Sequence, residues 1–356
     1  MRINKIISLI FGFRFLENLL FIEEREQFRI LNSDFDEIYK LTELSGFQVI
    51  SNANDYLVFT DFNEIKIFKG NKIIFTIKNF SYISSNSCMF ILRSNQTKEV
   101  VFFNINTGFF LKTSINIWGV SFTNNSFFFT IPSLSNKLDC YFLETGDLLW
   151  EFQLSEASYP QGEYGLAYEK NIVSVLGEYE GIVWVVTYLG HLIGLSTATG
   201  EVKHHLTVPN NIPTSWGDWQ VYVRARKSAI DHERGLIFGI DNTDYWECDL
   251  SNPEESYTYY DIEATCKEHN IVAKLAGYHP IWDKDELFFG QQEFGKNPSF
   301  VGIFNRSTKQ ITWTSHEVGE VGTFQGLSKI DYTSGRLYVL DATSTLHIFE
   351  RESELI

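Results

Sequence analysis

Between Ile182 and Val208 the chain alternates three apolar runs with two polar turns, Leu189-Gly190-His191 and Ala198-Thr199-Gly200-Glu201. Val, Ile, Thr and Trp dominate the runs and Gly sits at each reversal, the pattern of consecutive antiparallel hairpins. The pattern recurs. Polar turns at 52–55, 84–87, 123–126, 178–181, 231–235, 283–285 and 332–335 each precede a short apolar run. Those runs are Tyr56–Thr60, Cys88–Leu92, Phe127–Ile131, Ile182–Thr187, Leu236–Ile240, Leu287–Gly290 and Arg336–Leu340, with a weaker copy at Asn18–Ile22. A second marker keeps the same period. Gly70-Asn71, Asn106-Thr107-Gly108, Glu144-Thr145-Gly146, Ala198-Thr199-Gly200, Ser251-Asn252-Pro253 and Ser307-Thr308-Lys309 each precede another strand, such as Leu148–Phe152 or Ile311–Trp313.

Two markers on one period of ~40–50 residues predict four-stranded units arranged as a β-propeller. The expected fold is all-β, a single domain over residues 1–356 with eight four-stranded blades; seven is the alternative if residues 11–45 fold differently. The last unit, from Leu327 to Arg351, has three strands, so residues 3–10 are expected to supply the fourth and close the ring. The N-terminus also mimics a signal peptide, with Met1-Arg2-Ile3-Asn4-Lys5 before the apolar run Ile6–Phe13. Arg14 and Glu17 follow without a small-x-small cleavage site, which favours the strand and a cytoplasmic protein; export is the alternative if residues 1–13 act as a signal.

Thr-Tyr-Leu-Gly-His-Leu-Ile-Gly-Leu-Ser-Thr-Ala-Thr-Gly-Glu-Val (187–202) and Phe-Leu-Glu-Thr-Gly-Asp-Leu-Leu-Trp (142–150) resemble the repeats of pyrroloquinoline-quinone-like, WD-repeat-like propellers. There a Thr-Gly turn is followed by a Trp on the next strand. Trp150 and Trp313 match that Trp, and Lys203-His204 takes the place in the central copy. The resemblance implies a fold and no activity. The quinone dehydrogenases of that group carry an adjacent cysteine pair and calcium ligands that have no counterpart here, and no cofactor is expected.

Composition adds the compartment and the partner. Aromatic residues make 16% of the chain and the formal charge is −16, a core-rich fold with an acidic surface that disfavours nucleic acid and suits a basic protein partner. No apolar run reaches the ~20 residues of a membrane span. Cys88, Cys140, Cys248 and Cys266 lack paired spacing and read as buried thiols.

Motifs for a P-loop, a nucleophile elbow, a zinc helix or an EF-hand are not found. His204 and His205 are adjacent in a strand and point to opposite faces. Asp231-His232-Glu233, and the pair Glu178 and Glu180, read as solvated hairpin turns. The irregular feature is the widening of the period after Thr145, which places insertions at 156–166, 209–220 and 266–279. In a propeller such connections emerge with the second-to-third turns on one face, and insertions gathered there mark a binding face. Its candidate residues are Tyr159, Glu163, Tyr164, Trp216, Asp218, Trp219, His279 and Trp282, joined from neighbouring turns by His191, Asp244, Tyr245, Glu293 and Phe294. Arg224 and Arg226 share one side of the next strand. Aromatics beside carboxylates fit a protein surface, or a cap packed on itself. The leading reading is a non-enzymatic, bacterial-style interaction propeller, an immunity protein neutralising a toxin or a scaffold. A hydrolase or lyase using His191 and His279 at the channel mouth, and a carbohydrate-binding propeller, are the alternatives; oligomeric state is left open.

Overall fold

The computed structural model describes the chain apart from residues 9–11, 17–18, 25–26, 43, 45–47, 54–55, 62, 70–71, 86–88, 98, 105–108, 113–121, 124–125, 132–135, 155–170, 188–190, 207–227, 242–243, 272–279, 292–298, 319–322 and 352–356. Strand β1 (Arg2–Ser8) opens it. The strands then come in fours. The first sheet is β2–β5 (Gly12–Leu16, Leu19–Glu24, Gln27–Leu31, Glu37–Thr42), and the second is β6–β9 (Gln48–Ala53, Tyr56–Thr60, Glu64–Lys69, Lys72–Lys78). The third is β10–β13 (Phe80–Ser85, Met89–Ser94, Val100–Asn104, Phe109–Lys112), and the fourth is β14–β17 (Phe122–Thr123, Phe127–Thr130, Lys137–Phe142, Leu148–Gln153). The fifth is β18–β21 (Ile172–Tyr179, Ile182–Thr187, Leu192–Ser196, Val202–Leu206), and the sixth is β22–β25 (Ser228–Asp231, Leu236–Asp241, Asp244–Asp249, Thr258–Asp261). The seventh is β26–β29 (Ile281–Asp283, Glu286–Gln291, Phe300–Asn305, Gln310–Thr314), and β30–β32 (Leu327–Thr333, Arg336–Asp341, Thr345–Glu350) end the series. Two short helices, α1 (Pro253–Ser256) and α2 (Glu263–Glu268), flank β25. No helix among the described residues is long and apolar enough to cross a membrane.

Each of the first seven sheets is an antiparallel meander in chain order. The eighth runs β1–β32–β31–β30, and β1 pairs along β32 from Arg2 opposite Glu350 to Ser8 opposite Thr345. An N-terminal strand therefore completes the C-terminal sheet. The expected second strands of the repeat coincide with β3, β7, β11, β15, β19, β23, β27 and β31 to within a residue or two at each end.

The burial pattern explains why the middle strands read as continuous apolar runs. In β12, β19, β20, β28 and β31 nearly every residue is buried, because both faces of the strand are covered. Fourth strands are half-open; β17 hides Trp150 and Phe152 and exposes its other residues. The chain divides into two compact units, Arg14–His205 and Met1–Phe13 with Leu206–Ile356. In the first unit, consecutive sheets bury their facing sides against each other. Phe21, Phe28 and Ile30 meet Leu57, Phe59 and Phe68. Ile65 and Ile67 meet Phe90 and Phe103, Phe102 meets Phe128, and Phe129 and Leu138 meet Val183 and Val185. In the second, Phe238 and Tyr245 meet Leu287, Phe289 and Phe304, and Val301 and Ile303 meet Leu337 and Val339. A fully buried Phe contributes about 1.5–3 kcal/mol, which is why Phe dominates these seams.

Two readings need correction. Asp231 does not sit in a solvated turn. It is buried and holds Arg306, while His232 and Glu233 are exposed as expected. The segment from Cys266 does not begin as a loop on the insertion face. It lies in α2, where Thr265 Oγ1 accepts the N–H of Ile311 at 2.9 Å on the edge of β29 and Cys266 joins the core. An outer strand leaves N–H groups unpaired, and α2 covers one of them. Cys140, Cys248 and Cys266 are free, buried thiols, their pKa values pushed up by burial to about 12, 11 and 12; Cys88 lies outside the described residues.

Candidate binding face

The two ends of the sheets are distinguished by backbone hydrogen bonds. At one end the first-to-second and third-to-fourth turns meet: the N–H groups of Leu143, Thr197, Leu250 and Arg306 donate to Ser126, Gly181, Gly235 and Asp285. At the other end the second-to-third turns meet the fourth-to-first connections. There Asn79 donates to Asn63 at 2.7 Å, Asn95 to Asn79 at 2.9 Å and Leu154 to Asn136 at 2.7 Å, and Ser299 and Phe324 exchange a pair of bonds. Long connections leave and re-enter the sheets at this second end. They run over 154–171, 207–227 and 262–280, against the single residue Asn79 between β9 and β10.

Of the candidate residues, Tyr159, Glu163, Tyr164, Trp216, Asp218, Trp219, His279, Glu293 and Phe294 lie outside the described residues, as do Arg224 and Arg226. Four are described. Tyr245 is on β24 rather than in a turn and is fully buried. Its hydroxyl donates to Glu247 at 2.8 Å and accepts from Arg306 Nε at 3.3 Å, and burial raises its pKa. It is a core residue because strand alternation turns it onto the face covered by the seventh sheet. Asp244, half-buried at the start of β24, accepts the hydroxyl of Tyr259. Trp282 lies on β26 and packs edge-on against Phe238, centroids 5.1 Å apart, in the seam between the sixth and seventh sheets. Trp282 thus has a packing role.

His191 is the described candidate with polar chemistry of its own. Its backbone N–H donates to Thr187 Oγ1 at 3.1 Å, and its ring Nδ1 lies 3.2 Å from Nε2 of His205. Burial, then the neighbouring His205, lowers the His191 pKa to about 4; burial lowers that of His205 as well. Both rings are therefore neutral near pH 7, one donating and the other accepting. The His205 partnership was missed, although the hairpin turn at Thr199-Gly200 folds 205 back toward 191. His204 points the other way and stacks on Trp184 at 5.4 Å. Among the described residues no group of three His, Cys, Asp or Glu side chains is placed to hold a metal.

The sequence matches no protein-family model and no curated protein. Solved structures do match over nearly the whole chain. BamB from Moraxella catarrhalis aligns with a TM-score of 0.59 at 11% identity, over 99% of this chain and 98% of that one. Saccharomyces cerevisiae Sqt1 aligns with a TM-score of 0.59 at 14% identity, over 98% of each. The computationally designed Ika8 protein aligns with a TM-score of 0.54 at 9% identity, over 97% and 96%. BamB and Sqt1 are WD40-like propeller proteins.

The fold is a β-propeller. At these identities the likeness concerns the fold alone, of the quinone-protein-like and WD-repeat-like kind. Within this propeller, Trp150 on β17 reaches the next sheet. Its Nε1 donates to the carbonyl of Thr197 at 2.8 Å, and its ring lies under Gly200, where a Cβ would come within 2.7 Å of Cδ2 and Cε3. Trp313 reaches forward in the same manner, edge-on to Phe349 at 5.6 Å. Between the sixth and seventh sheets the corresponding contact is polar. Lys309 closes the same turn as Gly200, its N–H bonded to Asn305 as that of Gly200 is to Ser196, with φ of 60° against 74°. Its Nζ lies 4.3 Å over the ring of Tyr260 and 3.1 Å from both oxygens of Glu247. Beside it Arg306, buried, bonds Asp231 at 2.6 Å and the carbonyl of Lys284 at 3.2 Å, and stacks over Phe238 at 4.0 Å.

Proposed function

We propose that this protein is a non-enzymatic interaction propeller that binds a protein partner at the end of its sheets carrying the long connections. The observation that supports this reading is the length of connections 154–171, 207–227 and 262–280, each joining a fourth strand to the next first strand and each longer than the other connections of that kind. On a repeat scaffold, residues added beyond the repeat serve recognition; in the third connection α2 packs on the sheets, so the reading rests on the other two and on the rest of the third. Two of these connections hold Tyr159, Glu163, Tyr164, Trp216, Asp218 and Trp219. In this reading the eight sheets are eight blades, closed into a ring by β1 on β32. The charge of −16 suits a basic partner. Neutralisation of a basic toxin, as by an immunity protein, is the form of the reading that charge favours, in the cytoplasm of the producing cell.

The test begins by co-purifying the partner from the native host and identifying it by mass spectrometry. Trp216→Ala or Trp219→Ala is expected to weaken its binding at least tenfold while circular dichroism stays unchanged, because a buried aromatic anchor is worth about 2 kcal/mol or more. Glu163→Gln and Asp218→Asn are expected to act less and in a salt-dependent way. Glu180→Gln, at the opposite end, should leave binding intact. Normal binding by both tryptophan variants with failure of Glu180→Gln would place the site at the wrong end.

A further inference from the structure

The fourth strands differ in how their outer edges are protected. On β29, α2 covers the edge through Thr265 and Cys266. β9 is the opposite case. Of its seven residues Ile77 alone is buried, and Ile73, Ile74 and Phe75 are 51%, 39% and 37% exposed, a large apolar side chain at three successive positions, with the ring of Phe75 resting partly edge-on against Phe103 of β12 at 5.6 Å. Lys72 and Lys78 stand exposed at its two ends. From Glu64 to Lys78 the hairpin carries four lysines, Lys66, Lys69, Lys72 and Lys78, against the one glutamate, in a chain whose net charge is −16. Apolar residues between lysines, on a strand that among the described residues pairs with β8 alone, make an edge that can take another strand through its backbone groups.

We infer that β9 is a docking edge for an extended acidic segment of a partner protein, which adds to the second sheet as a fifth strand. Local charge selects the occupant. A second copy pairing β9 on β9 antiparallel would set Lys72 opposite Lys78 at both ends, and like charges directly opposite destabilise a strand pair. A strand with Asp or Glu at its ends and apolar residues between places opposite charges there and covers Ile73 and the part of Phe75 that Phe103 leaves exposed. The inference does not rest on the binding face proposed above, which lies at the ends of the sheets and favours a basic partner.

The experiment titrates the full chain with two synthetic seven-residue strand peptides of the same Val/Thr core, one with Glu at both ends and one with Lys, by fluorescence anisotropy. The Glu-ended peptide is expected to bind at least about tenfold tighter. The double variant Lys72→Glu, Lys78→Glu is expected to invert that preference. Methylating alternate backbone nitrogens along one edge of the Glu-ended peptide should abolish binding, and along the other edge should leave it, the signature of strand addition. Equal binding of the two peptides, binding by neither, indifference to methylation, or a dimer in analytical ultracentrifugation that Phe75→Lys dissolves would each overturn the inference. The two-peptide comparison and the methylation pattern are read on the wild-type chain, so the answer does not depend on how a variant folds.

Discussion

Gly200 is needed for two separate reasons: its φ of 74° is the left-handed region, and the ring of Trp150 occupies the space a Cβ would take. Gly200→Ala is expected to cost about 1–3 kcal/mol, read as a lower urea midpoint at unchanged slope. Trp150→Phe should cost a similar amount by leaving the carbonyl of Thr197 without its donor. The His191 ring makes the opposite kind of statement, about charge. Its pKa of about 4 lies below the ordinary 6.5, so the unfolded chain takes up a proton that the folded chain refuses. The stability from keeping it neutral is whole above pH 6.5, falls as the pH drops toward 4, and is flat below. The full loss is of the order of 3 kcal/mol. Urea unfolding at pH 7.5 and 4.5 should show a stability loss that His191→Gln reduces. The thiols, the Thr-Gly turns and Trp150 were all legible along the chain. The His191–His205 pair was not, because it needs two elements placed side by side.

At the scale of elements, two pairs of neighbouring sheets each carry a specific lock beside their apolar seam, and the two locks differ in chemistry. Between the fourth and fifth sheets it is Trp150 on Gly200. Between the sixth and seventh it is the cluster of Arg306, Asp231, Tyr245, Lys309 and Glu247. Asp231→Asn leaves the Arg306 guanidinium buried without its counter-ion and is expected to cost about 3–5 kcal/mol in chemical denaturation. Adding Arg306→Met should recover part of that loss; a double variant worse than Asp231→Asn alone would mean the charge is not the cause. Strand positions within the repeat were readable because each strand lies between Gly- or Asn-rich turns. The burial of Asp231 was hidden because its fate depends on an arginine that another sheet supplies.

At the scale of the whole molecule, the chain's two termini meet in one sheet. Deleting residues 1–8 exposes the edge of β32, whose Leu346, Ile348 and Phe349 are fully buried. A substantial loss of solubility, or a fall in Tm of roughly 5 °C or more, is expected; unchanged thermal unfolding would show that β1 adds nothing. Repetition in the sequence is enough to specify strand order, the four-strand period and the use of an N-terminal strand at the C-terminal end, because each strand's apolar run and each turn's Gly, Asn or Asp act locally. Local rules cannot say which candidate aromatics face solvent. Tyr245 and Trp282 look like surface residues in the sequence and are packed in the structure, because Phe304 of the following sheet covers Tyr245 and Trp282 closes onto Phe238 of the preceding sheet. Burial, counter-ions and exposed edges such as β9 are properties of sheet against sheet, set by which faces meet and which are left over once the strands have paired.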